Sequence, residues 1–125
     1  MSNLADDDHW INIYSNSASV SGSPGYENRL PEFRFGLPFY NSYLRVFAYS
    51  GTAPAHYQFA GRLNLFVGTI EDEAPVFVTQ RKFILNNWRL MHFNLESSTP
   101  YFLEYLSPYW LPDITLTVQQ FQPLN

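Results

Sequence analysis

Apolar and polar residues alternate with a period of two in several short segments of this chain. Phe33-Arg34-Phe35 sets two phenylalanines on one face and an arginine on the other, and Ile114, Leu116 and Val118 alternate with Thr115, Thr117 and Gln119. Successive side chains of a strand point to opposite faces, so this spacing predicts half-buried strands. Comparable segments run from Trp10 to Tyr14 with a Ser-rich continuation to Val20, from Tyr43 to Tyr49, Tyr57 to Val67, Val76 to Leu85, Trp88 to Leu95 and Tyr101 to Leu106. The nine prolines fall mostly between these segments and leave few places for a long helix.

The connections add turn chemistry. Ser21 to Glu27 reads as a loop, and the Ser-Gly-Thr-Ala-Pro-Ala run from Ser50 predicts a long hairpin joining the segments on either side of it, with Gly61 marking a bulge. Asn86-Asn87 separates two further segments, and asparagine tolerates the positive φ of a two-residue hairpin turn. Ile84, Trp88, Met91 and Leu95 also recur at helical spacing, so a helix competes with the hairpin over 84–95. Seven to nine short strands predict an all-β, antiparallel two-sheet β-sandwich, of which a jelly roll is one form. At 125 residues the chain fits one domain, 1–125, with residues 1–9 and 122–125 as terminal arms. No internal repeat points to a propeller or solenoid.

Composition narrows the function classes. A net charge of −4, with Lys82 as the only lysine, argues against nucleic acid as a partner, because such binding rests on many phosphate contacts. Arg34, Arg45 and Arg89 do sit beside aromatics, but no RNA-binding sheet signature accompanies them; their stems cover apolar surface while the heads stay wet or meet carboxylates. Without cysteine there is no disulfide, thiolate nucleophile or Cys-ligated metal. The acidic start, Asp6 to Asp8, is unlike a secretory signal, and no apolar run approaches the ~20 residues of a membrane span. The expected location is a virion or the cytoplasm.

Catalytic patterns are sparse. His9, His56 and His92 lie far apart without a metal-binding spacing, His9 reads as solvated and His92 as a rim residue. Asp6 to Asp8 and Glu71-Asp72-Glu73 lack the spacing of a calcium loop and read as a solvated terminus and a solvated hairpin loop. Glu96 and Glu104 would form a glycosidase pair only if the fold set them in one cleft. Neither a nucleophile elbow nor a phosphate loop occurs. No enzyme activity, cofactor or metal is expected.

The excess is in aromatics, 18% of the chain. Tyrosine and tryptophan combine large contact area with a polar handle, which suits both protein interfaces and sugar platforms. Trp110, Tyr109, Tyr105, Tyr101, Trp88 and Trp10 are therefore the candidate binding residues, with Tyr109 and Trp110 on a loop restricted by Pro108 and Pro112. The expectation is a non-enzymatic, homo-oligomeric interaction domain whose partners are protein subunits of a larger assembly, an accessory component of a virus or phage particle. A carbohydrate-binding, lectin-like module is the alternative.

Overall fold

Alternation decides which face of each strand turns inward. In the computed structural model, which describes residues 9–19, 27–39, 43–51, 59–108 and 113–122, eight strands form. They are β1 (Trp10–Ser19), β2 (Glu27–Gly36), β3 (Tyr43–Tyr49), β4 (Phe59–Val67), β5 (Val76–Ile84), β6 (Arg89–His92), β7 (Tyr101–Pro108) and β8 (Asp113–Phe121). Leu44, Val46 and Ala48 of β3 and Ile114, Leu116 and Val118 of β8 are buried between the layers, and their odd-numbered neighbours face outward. Phe33 and Phe35 turn inward while Arg34 turns out, as the sequence predicts.

The first sheet runs β1-β8-β3-β6 and the second β2-β7-β4-β5, with every neighbouring pair antiparallel. First strand pairs with last, second with seventh, third with sixth, fourth with fifth. The chain is thus a ribbon doubled back at the β4–β5 turn and rolled until β3 meets β8 and β4 meets β7. This two-sheet sandwich is the eight-stranded jelly roll.

Irregularities have specific jobs. Between Asn12 and Tyr14 the β1 register shifts, and Tyr14 stacks inward on Phe35 with ring centroids 4.3 Å apart. Gly61 sits at a register shift with φ 132°, where a Cβ would strike the Leu106 carbonyl oxygen and the Tyr105 ring. The expected bulge is there because only glycine fits.

Two expectations about pairing are corrected. Residues 43–49 and 59–67 do not form a hairpin, because β3 lies in the first sheet and β4 in the second. The Asn86-Asn87 turn forms, with Asn86 at φ 61°, but its arms diverge: β5 joins β4 and β6 joins β3. A bond from the Asn86 N–H to the Ala48 carbonyl (2.7 Å) ties the turn to the first sheet. Alternation specifies a buried face and is indifferent to which strand lies alongside. The competing helix over 84–95 is likewise replaced by a turn and β6.

Candidate interaction face

The outward positions of the first sheet divide into two textures. On the β1–β8 side, cross-strand pairs are small and hydroxylic: Ser15 with Thr117 at 3.4 Å and Ser17 with Thr115 at 2.7 Å. On the β3–β6 side they are large. Tyr43, Arg45, Phe47 and Tyr49 follow one another along the outward face of β3, and Leu90 and His92 stand opposite Arg45 and Tyr43.

Arg45 joins the two halves. Its guanidinium carbon lies 4.7 Å from the Trp10 ring centroid and 4.7 Å from that of Trp88, so one cation lies over two indoles far apart in the sequence. Arg45 Nε donates to Gln119 Oε1 (2.6 Å), and Gln119 Nε2 donates to Asn12 Oδ1 (2.6 Å). The three residues are direct register neighbours on β3, β8 and β1, so the sheet itself delivers them to one row. Each cation–π contact contributes about 0.5–2 kcal/mol, and the Gln119 bond fixes the plane of the guanidinium.

Rings extend this centre in both directions. Trp88 packs on Phe47 at 5.3 Å, Tyr43 on His92 at 4.8 Å, Trp10 edge-on to Phe121 at 5.3 Å, and His9 stacks on Phe121 at 5.7 Å. His9 is therefore half-buried against a ring instead of freely solvated. Solvent still reaches the outer side: Trp88 is 43% exposed, Tyr49 52% and Leu90 57%.

Of the sequence-derived candidates, Trp10 and Trp88 are brought together around Arg45. Trp10 is buried there and Trp88 is exposed. Tyr105 is fully buried between the sheets, edge-on to Phe33 at 5.3 Å. Tyr101 is buried at the wall of a groove of about 650 Å³ shared with Val67, Val78 and Leu95, and its hydroxyl accepts the Glu96 N–H (3.0 Å). Tyr109 and Trp110 lie outside the described residues. Arg45, Phe47, Tyr49 and Leu90 were not among those candidates. The signal for the first three was present in the β3 alternation, where Tyr43, Arg45, Phe47 and Tyr49 occupy successive outward positions, whereas Leu90 of β6 joins them only through strand pairing.

The two glutamates do not share a cleft. Glu96 borders the groove beside Tyr101, whereas Glu104 is buried on the outer side of the second sheet and accepts a bond from Arg34 Nε at 2.6 Å. Glu104 lines a separate cleft of about 340 Å³ with Phe66, Phe102 and the Asp72–Pro75 turn. Among the described residues, no group of three His, Asp or Glu side chains is placed to hold a metal ion. No helix there is long and apolar enough to cross a membrane.

No known family matches this chain. The curated proteins and the solved structures likewise contain no significant match.

Proposed function

We propose that this jelly roll is a non-enzymatic interaction domain, a homo-oligomeric subunit of a larger assembly, that docks a protein partner through the Arg45 face. One observation carries the reading: Arg45 is held between Trp10 and Trp88 at the centre of a face whose edge exposes Trp88, Tyr49 and Leu90. Trp, Tyr and Arg are the residue types that dominate interface energetics, and here they are already ordered before any partner arrives. The setting we favour is a virus or phage particle. Jelly rolls build capsid subunits and lectins alike, so the strand order supports that setting only as an analogy of fold.

A carbohydrate ligand is favoured by a different observation, the strip of uncharged hydroxyls and amides at Ser15, Ser17, Thr115, Thr117 and Asn12 beside the rings. Against it, Arg45 already covers ring surface on both indoles, which leaves less open π-face for a pyranose. A photo-crosslinking residue placed at Leu90 in the producing cells separates the two readings. The protein reading expects one discrete crosslinked species that disappears when Arg45→Ala is added. A glycan that binds the purified domain and is lost with Trp88→Ala would replace that reading by the lectin one.

A further inference from the structure

The groove beside Tyr101 has no part in the Arg45 face. Its apolar lining comes from Val67 of β4, Val78 of β5, Tyr101 of β7 and Leu95, and Glu96 and Thr99 stand among its polar members. Val78 reaches it because β5 carries one extra residue there: Leu65 opposes Thr79 and Phe66 opposes Phe77, which leaves Val78 between two register pairs. A bulge of this kind re-aims a side chain, and Val78 stands 44% exposed on the groove wall. An open apolar concavity with a few polar groups at its border is the form of a binding site.

Both walls lead to one cation. Arg81 stands three residues beyond Val78 on β5, and its guanidinium carbon lies 5.2 Å from the ring centroid of Phe93, which directly precedes Asn94 and Leu95 of the opposite wall. Arg81 Nη1 donates to Thr79 Oγ1 (2.7 Å) and to the Gln80 carbonyl (3.1 Å), and Nη2 donates to the His92 carbonyl (3.5 Å). These bonds take three of the five N–H donors and orient the group, leaving Nε–H and one Nη2–H. Among the described residues Arg81 has no carboxylate partner. An exposed guanidinium held in one plane with two donors to spare suits a carboxylate.

The surrounding sequence selects the same sign. Residues 76–95 hold Arg81, Lys82 and Arg89 and no acidic residue, while the rest of the chain sets four cations against eleven acids. A uniform polyanion would meet that acidic remainder and leave the apolar wall bare. An aliphatic segment with isolated carboxylates matches both features. Glu96, three residues beyond Phe93, fixes the direction: the carboxylate belongs at the Arg81 end, and the aliphatic side chains lie along Val67, Val78 and Leu95. We infer that the groove docks a short aliphatic segment of a protein partner whose carboxylate binds Arg81. This site shares no lining residue with the Arg45 face, and either can fail without the other.

The probe is the peptide acetyl-Leu-Glu-Leu-Glu-Leu-amide, titrated into the isotopically labelled chain and followed by amide NMR shifts, with the peptide carrying lysine in place of glutamate as control. The expected result is saturable shifts at Val67, Val78 and Leu95 with a Kd of about 1 mM or tighter, and binding of the lysine peptide about tenfold weaker. This comparison uses the unaltered chain and so does not depend on any variant folding. Arg81→Gln should weaken the glutamate peptide about fivefold and Glu96→Gln should strengthen it about twofold, because the two side chains act on one charge with opposite sign. A groove that is apolar only would respond to neither change. Val78→Ser should weaken both peptides alike. Absence of saturable shifts, or equal binding of the two peptides, would overturn the inference. Shifts centred on Trp88 and Leu90 that vanish with Arg45→Ala would overturn it as well, by giving the peptide to the Arg45 face. Octanoate that displaces the peptide at equal concentration would replace the protein segment by a free carboxylic acid.

Discussion

At the scale of single residues, backbone geometry and charge burial set the sharpest expectations. Gly61 holds a φ open only to glycine without strain, with the Leu106 carbonyl and Tyr105 ring where a β-carbon would stand. Gly61→Ala should cost about 2 kcal/mol or more, read as a lowered urea midpoint with little change in slope. Glu104 is 2% exposed and faces Arg34 across neighbouring strands. Arg34→Ala takes a counter-charge from a buried carboxylate, and since the Arg34 side chain is 35% exposed, solvent screening limits the loss to about 1–2 kcal/mol. The double variant Arg34→Met with Glu104→Leu should recover most of it, because neither charge is then left behind. Arg45 acts on its surroundings differently. Its removal uncovers the ring of Trp10, so Arg45→Ala should make the tryptophan emission redder and more readily quenched by iodide even where the melting temperature moves little.

At the scale of elements, most strands were legible from the sequence and most pairings were not. Tyr43–Tyr49 and Asp113–Phe121 carry their inner face in period-2 alternation, and the structure places them as strands where that alternation falls. What alternation omits is the neighbour. Only β4 and β5 are consecutive strands that pair with each other; every other connection crosses from one sheet to the other. A turn signal such as Asn86-Asn87 therefore locates a reversal without implying a hairpin. Asn86 does adopt the left-handed conformation the sequence reading required, at φ 61°. Asn86→Gly should be near neutral and Asn86→Val destabilising by about 1–2 kcal/mol, measured by thermal melts, because a β-branched residue resists that φ. The Arg45 face was half legible for the same reason. Trp10 and Trp88 stood out by type, but their meeting depends on β1 and β6 flanking β8 and β3, which no local pattern encodes.

At the scale of the whole molecule, the rolled ribbon makes folding a problem of distance along the chain. β1 pairs with β8 from Trp10 with Phe121 to Ser19 with Asp113, and β2 pairs with β7, so the loops closed by these pairs span most of the sequence. Closing such loops costs entropy before any contact repays it, which places folding in the millisecond-to-second range or slower. The β4–β5 hairpin is the exception, since its strands are joined by a short turn in which Asp72 Oδ2 accepts the Thr69 N–H at 2.9 Å. It is the natural first piece, with β7 adding to β4 next and the β1–β8 ladder closing last. Pulse-labelled hydrogen exchange during refolding should show amides of Leu63, Leu65 and Phe83 protected before those of Leu116 and Val118. Asp72→Ala, which removes the turn bond, should then slow folding more than it speeds unfolding, while Ser17→Ala on the late-forming ladder should leave the folding rate nearly unchanged. Simultaneous protection of both groups would mean that the ribbon rolls up in one step, with the hairpin holding no lead.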